Sequence, residues 1–179
     1  MEIKDPMPNT AIATVNRNTA LWTPAQANFD FVKFSDLSDE PLSYRIPGIL
    51  PMNTNVLFSA YAKSGKTTTV LALVRALTSP ADFLDLSCMT VSGRVIYVNF
   101  ELTDQMLRKY ATDAGLKLDS DRLRVWQLQG KAGGFKINDP GFQDMFAERL
   151  KEADCEVMIL DPLAPVISML GYKEEDNSA

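Results

Sequence analysis

Two kinds of hydrophobic pattern alternate along this chain, one typical of buried strands and one typical of helices. Short apolar runs, rich in β-branched or aromatic residues, predict strands at 56–58, 94–100, 123–128 and 157–160. The runs 56–58 and 157–160 are continuously apolar and 94–100 is nearly so, whereas 123–128 alternates. Continuous runs indicate strands covered on both faces, as in a parallel sheet.

Apolar residues spaced three or four apart predict a helix after each of the first three strands. The first helix follows Lys66 and stops before Pro80. The second has Thr103 as a candidate N-cap and Gly115 as a candidate terminator. The third begins near Pro140, because proline at the first helical turn loses no hydrogen bond. Strand and helix therefore alternate, which predicts an α/β fold with a mostly parallel sheet flanked by helices.

The part of the chain before residue 44 lacks such periodicity. Residues 1–28 carry three prolines and scattered polar residues, which predicts a tail or irregular arm. Residues 29–51 are interrupted by three prolines and a glycine, which predicts loops and short extended pieces. We therefore divide the chain into an N-terminal arm with its lead-in, 1–43 and partly irregular, and a folded core, 44–179.

Composition and charge exclude several classes of function. With 179 residues, 46% of them hydrophobic, the chain can bury the core of one globular domain. The net charge of −5 argues against binding to DNA or to an anionic membrane through a broad positively charged surface. There is no histidine, which excludes His-dependent catalytic triads and His-ligated zinc.

Cysteines and apolar stretches bear on the compartment. Cys88 and Cys155 form no CxxC unit, and we interpret them as reduced thiols of an intracellular protein, with a disulfide between them as the alternative. The N-terminus lacks the basic and apolar regions of a signal peptide. No apolar stretch approaches the ~18 residues that span a bilayer. The sequence thus predicts a cytoplasmic protein without a membrane partner.

The clearest candidate for chemistry is segment 60–67, AYAKSGKT, between a predicted strand and a predicted helix. In a phosphate-binding loop of this type, successive N–H groups point inward and the helix presents its positive end to the phosphates. Lys66 can then reach the β/γ-phosphate oxygens of ATP, and the Thr67 hydroxyl can bind Mg²⁺. Lys63 either adds charge there or is a solvated loop lysine. The predicted nucleotide-binding residues are Ala62, Lys63, Ser64, Gly65, Lys66, Thr67 and Thr68.

One position departs from the usual pattern of such loops. Ala60 stands where a first glycine is usual, and alanine is tolerated there if its φ is negative. The alternative interpretation of the segment is a glycine-containing turn that caps an ordinary helix.

Two carboxylates follow predicted strands and are expected at the same edge of the sheet. Asp161 closes the run 157–160, where it can hold Mg²⁺ directly or through a water; alternatively it caps the next turn. Glu101 follows the run 94–100, where it can orient or deprotonate an attacking water. Its alternative role is that of an acidic residue favoured by the dipole of the next helix.

Three segments together resemble RecA-like ATPases: 60–67, 98–101 (VNFE) and 160–163 (LDPL). The lead-in 44–51 (YRIPGILP) and the polar stretch 171–177 (GYKEEDN) are similar to the RepA-like branch. That branch comprises the hexameric replicative helicases of plasmids and phages and their AAA-family relatives. The resemblance covers residues 44–179.

The resemblance implies a set of roles. Lys66 and Thr67 would bind nucleotide and Mg²⁺, Asp161 would be the second acidic motif, and Glu101 would be the catalytic glutamate. It implies ATP as ligand, a homo-oligomer that is hexameric at full length, and single-stranded DNA as a partner through regions beyond this chain. The implied function is an ATP-hydrolysing motor domain of a DNA-replication helicase. The alternatives are a nucleotide-binding or regulatory module without efficient turnover, and a small-molecule kinase.

In RecA-like folds a further strand follows the Asp161 strand and inserts between it and the strand before the phosphate-binding loop. The DNA-contacting loops and the arginine that acts in trans also come from that later region. We therefore expect these 179 residues to be the N-terminal part of a longer motor, or a truncated copy of one. The same reasoning predicts two unpaired strand edges at the centre of the sheet.

Overall fold

The computed structural model describes residues 10–14, 32–61 and 63–170, with the backbone alone for 10–14. In that part the strands are Thr10–Thr14 (β1), Tyr44–Ile46 (β2), Leu50–Pro51 (β3), Asn55–Phe58 (β4), Arg94–Asn99 (β5), Leu123–Gln127 (β6) and Cys155–Asp161 (β7). The α-helices are Lys66–Thr78 (α1), Asp104–Asp113 (α2), Pro140–Glu152 (α3) and Ala164–Met169 (α4). Each predicted strand and helix is confirmed, with ends that differ by a few residues.

Five of the strands form one sheet in the order β4-β1-β7-β5-β6, while β2 and β3 form a separate hairpin. Strand β5 pairs in parallel with β6 on one side and with β7 on the other. Strand β1 is antiparallel to both of its neighbours, β4 and β7. The predicted parallel sheet is confirmed, with one antiparallel strand inserted into it.

The prediction of two unpaired edges at the centre of the sheet is wrong. Strand β1 lies between β4 and β7, where Ile12 pairs with Val56 on one side and with Ile159 on the other. The backbone groups of both neighbours are therefore paired with a segment that precedes them in the chain. Residues 10–14 were expected to be irregular because the prolines around them obscured a five-residue strand, too short to show a periodicity of its own.

Helices cover both faces of the sheet, as the apolar strands predict. On one face, α1, α2 and the β2–β3 hairpin pack on residues such as Val95, Tyr97 and Ile159. On the other face, α3 and α4 pack on residues such as Ile96 and Val98. The two faces of β5 thus contribute to two separate cores, and its end is held rigidly between them.

The helix ends confirm the signals in the sequence. The Thr103 side chain accepts a hydrogen bond from the backbone N–H of Met106 and so caps α2. Gly115, with φ of 73°, follows α2 in the left-handed conformation that favours glycine. Pro140 opens α3, as predicted. Helix α4 was not predicted, because its six residues are too few for a helical period to be detected.

A buried ion pair attaches the hairpin to the sheet. Arg45 on β2 is only 2% exposed, and its guanidinium lies 2.5 Å from Oε1 of Glu156 on β7. The second carboxylate oxygen accepts hydrogen bonds from the backbone N–H groups of Ser92 and Gly93, each at 2.8 Å. Burial acts to raise the pKa of Glu156, but the hydrogen bonds from Gly93 and Arg45 outweigh it and lower the pKa below its ordinary value.

Other residues singled out in the sequence have structural roles. Cys88 and Cys155 are both free thiols, so they form no disulfide. Burial raises the pKa of Cys88 to about 11 and that of Cys155 to about 12, which makes both poor nucleophiles. Trp126 packs against Phe135, Phe142 and Phe146. Of the helices in the described ranges, none is long and apolar enough to cross a membrane.

Candidate functional site

The loop between β4 and α1 brings its backbone around to the N-terminus of α1. Gly65 is the N-cap residue of that helix, with φ of 87°, and its carbonyl accepts a hydrogen bond from the N–H of Thr69. Lys63 also has a positive φ, of 62°. Ala60 is not among the residues with positive φ, so the missing first glycine causes no strain there. Because a left-handed N-cap favours glycine, Gly65 meets a backbone requirement of the predicted phosphate loop.

A cleft of about 640 Å³ lies in front of the N-terminus of α1. It brings together residues from the loop, from the ends of β5 and β7, and from α2. The predicted site residues that line it are Lys63, Gly65, Lys66, Thr67, Thr68, Glu101 and Asp161. Ser64 lies in the loop without lining the cleft, and Ala62 lies outside the described residues. The roles assigned to these residues remain predictions.

Asp161 is the buried carboxylate of the cleft, with 4% of its surface exposed. Burial raises its pKa, and this effect is opposed by a hydrogen bond from the Tyr97 phenol, by the charge of Lys66 and by a hydrogen bond with Thr67. Tyr97 is itself buried, which raises the pKa of its phenol, and the Asp161 charge raises it further. The phenol therefore stays protonated and acts as a donor.

The chemistry of Thr67 and Asp161 fits Mg²⁺. A hydroxyl and a carboxylate supply hard oxygen ligands, and Mg²⁺ in nucleotide sites usually keeps few protein ligands beside phosphate oxygens and water. No cluster of three or more acidic or cysteine side chains able to hold a metal alone occurs among the residues that the structure describes.

The backbone turn at Glu101 is held in place by hydrogen bonds to the buried side-chain amide of Asn99. The Oδ1 atom of Asn99, a residue 1% exposed, accepts hydrogen bonds from the N–H groups of Glu101 (3.3 Å) and Leu102 (3.0 Å). Its Nδ2 atom donates to the Leu102 carbonyl at 2.6 Å and to the side chain of Gln127 at the end of β6. Glu101 itself is exposed.

Sequence reasoning missed Tyr97, Asn99 and Gln127. Tyr97 and Asn99 are two residues apart on β5 and so belong to the same face of the sheet. Their polar atoms within an otherwise apolar strand were the available signal. A tyrosine in such a run is usually a packing residue, and the partner of its hydroxyl, Asp161, lies 64 residues later in the chain.

A family model described as an AAA domain matches residues 23–179. The chain belongs to this family. Membership of the AAA domain family indicates an ATPase-type nucleotide-binding function, in agreement with the α/β sheet and the loop before α1. Neither a comparison with curated proteins nor one with solved structures gave a match for this AAA domain.

Proposed function

We propose that this AAA domain binds ATP with Mg²⁺ and hydrolyses it, as the motor domain of a RepA-like DNA-replication helicase. The observation that carries the ATPase part is the cleft in front of α1. Its wall combines the N-terminus of α1, Lys66, Thr67, Asp161 and Glu101. Phosphate binding, metal binding and water activation need these groups together in one place.

The loop and α1 would bind the phosphates of ATP. The first N–H groups of a helix have no partner within it and carry the positive end of its dipole, so they favour an anion. Lys66 is the first residue of α1 and Thr67 the second. Lys66 therefore adds a full positive charge at the place where the helix already favours phosphate.

Thr67 and Asp161 would hold Mg²⁺ between the loop and the end of β7. Bound Mg²⁺ neutralises charge on the phosphate oxygens. Burial raises the pKa of Asp161 above its ordinary value, and Tyr97, Lys66 and Thr67 limit that rise. The two residues come from different elements, so the metal would also fix the position of the loop relative to the sheet.

Glu101 would orient the attacking water and accept its proton. Its carboxylate lines the same cleft as Lys66, and Asn99 fixes the backbone beneath it. In phosphoryl transfer such positioning, with electrostatic stabilisation, supplies most of the rate enhancement.

The helicase part of the proposal is supported by the resemblance of segments 60–67, 98–101 and 160–163 to RecA-like ATPases, and of segments 44–51 and 171–177 to the RepA-like branch. DNA contact and the arginine that acts in trans would come from regions beyond these residues. The net charge of −5 agrees with that division, since it gives this domain little general attraction for DNA.

The test is phosphate release from ATP, measured with and without Mg²⁺ and single-stranded DNA, with Asp161→Ala as the control for contaminating ATPases. We expect Mg²⁺-dependent turnover that increases with single-stranded DNA in the assembled protein. Nucleotide binding without turnover in that assembly would support a regulatory module instead. Transfer of phosphate to a small acceptor would support a kinase.

A further inference from the structure

Tyr97 connects the core of the sheet to the carboxylate proposed to hold Mg²⁺. Its side chain is 1% exposed and packs on the α1 and α2 face of the sheet. Its phenol donates a hydrogen bond to Oδ2 of Asp161, on the neighbouring strand β7. Tyr97 does not line the cleft in front of α1, so it contacts Asp161 from the side of the core.

A donor in that place restricts the rotation of the carboxylate. The terminal torsion of an aspartate is broad, so an aspartate held only by its backbone samples many orientations. A hydrogen bond to one oxygen removes most of that freedom, and it is stronger when the acceptor is charged. Lys66, through its charge, and Thr67, through a hydrogen bond, interact with Asp161 from the cleft side. Tyr97 holds the same carboxylate from the side of the core.

We propose that Tyr97 is a positioning residue for the Mg²⁺-binding carboxylate of Asp161. It holds Oδ2 so that the carboxylate is already oriented toward the cleft before the metal and nucleotide arrive. This inference rests on the proposed function, because it assumes that Asp161 holds Mg²⁺. Tyr97 contacts neither nucleotide nor metal, so its effect passes entirely through Asp161.

The surroundings of the ring allow a clean substitution. Tyr97 also borders a cavity of about 310 Å³ between α1, α2 and β6, lined mainly by leucine, valine and alanine side chains. Tyr97→Phe keeps the ring and its packing and removes only the hydroxyl. Phenylalanine suits such apolar surroundings, so we expect the variant to fold.

The experiment is calorimetric titration with a non-hydrolysable ATP analogue, with Mg²⁺ and with EDTA. Loss of a group that orients a metal-binding carboxylate should weaken binding in Mg²⁺ about 10-fold or more, with binding in EDTA unchanged within about twofold. The dissociation constant for Mn²⁺, measured by electron paramagnetic resonance with the analogue present, should increase by a similar factor. The matched control is Tyr44→Phe, which removes a hydroxyl on β2, outside the residues that line the cleft.

A double-mutant cycle separates positioning from general structure. In the Asp161→Asn background, Tyr97→Phe should add no further loss in Mg²⁺, because its effect passes through the carboxylate. An equal loss in EDTA, or an unchanged affinity in both media, would overturn the inference alone. A wild-type protein that binds the analogue equally well with and without Mg²⁺ would overturn the proposed metal site as well.

A second measurement covers the case in which Tyr97→Phe does not fold. In protein labelled at the tyrosine Cζ positions, Asp161→Asn should shift one tyrosine resonance, because the acceptor of one phenol has lost its charge. Unshifted tyrosine resonances in a folded Asp161→Asn protein would overturn the inference.

Discussion

Replacing Ile12 by proline should remove β1 from the centre of the sheet. Ile12 pairs with Val56 on β4 and with Ile159 on β7, so its N–H lies within a doubly paired strand. Proline has no N–H to donate and is found in sheets only at edges, first positions or bulges. Strand β4 leads into the phosphate loop and β7 ends at Asp161, so β1 sets the spacing between the two halves of the cleft.

The loss can be estimated from that pairing. One carbonyl of β4 or β7 loses its donor, which costs about 1–3 kcal/mol, and the proline ring disturbs the adjacent pairs. We take the total as about 3 kcal/mol, which for a chain of this size lowers the unfolding midpoint by about 6–12 °C. Affinity for Mg·ATP should fall as well, because the loop and Asp161 lose their common support.

The assay is thermal unfolding followed by far-ultraviolet circular dichroism. The control is Ser38→Pro, at an exposed position outside the strands and helices. Leu37 before it is already extended, with ψ of 146°, as a residue that precedes proline must be. An Ile12→Pro midpoint within about 2 °C of the wild type would refute the reasoning, because a strand paired on both sides cannot accept proline at no cost.

Three further predictions concern the site and the buried ion pair. Glu101→Gln should lower ATP turnover ~10²-fold or more and change nucleotide affinity by no more than a few-fold, because a residue that positions water acts mostly in the transition state. Unchanged turnover in a phosphate-release assay would contradict this and leave Glu101 as an acidic residue at the start of a helix. Arg45→Met should lower the free energy of unfolding by about 3 kcal/mol in urea titrations, because the partly buried Glu156 carboxylate loses the Arg45 guanidinium; a variant as stable as the wild type would contradict this. The pKa of Glu156 is lowered by folding, so its contribution to stability should be complete above its ordinary pKa of 4.5 and lost as the pH falls below it. Glu156→Gln should therefore lose less stability on acidification than the wild type, and parallel pH profiles would exclude Glu156 as a source of acid sensitivity.

Local signals were sufficient for the part of the fold that positions the cleft. The strands before Gly65, Glu101 and Asp161 are apolar runs whose ends coincide with a change to polar residues, so their carboxyl ends could be placed at one edge from the sequence. The loop before α1 requires a glycine in the left-handed conformation, which fixes the identity of Gly65. These features depend on residues close together in the chain.

What the sequence did not show depends on contacts between distant segments. Strand β1 is stabilised by pairing with β4 and β7, and no hydrophobic periodicity in its own sequence predicts it. From the sequence, Arg45 is only a polar residue in a proline-rich segment. Its role becomes visible in the structure, where it lies beside Glu156. From the sequence, Tyr97 is likewise only an aromatic packing residue. In the structure its hydroxyl contacts Asp161 on β7. In each case the decisive partner lies on another element.

The most direct test of the nucleotide site is calorimetric titration of Mg·ATP into Lys66→Ala, with Lys63→Ala as the matched control. Both lysines line the cleft, but only Lys66 belongs to α1, at its first residue. Lys66→Ala should abolish binding or weaken it at least ~10-fold, because a phosphate loses its charged partner at the helix N-terminus. Lys63→Ala, which removes an exposed and screened charge, should weaken binding less than about threefold. Unchanged affinity in Lys66→Ala, with wild-type stability, would contradict the assignment of this loop as the phosphate-binding site.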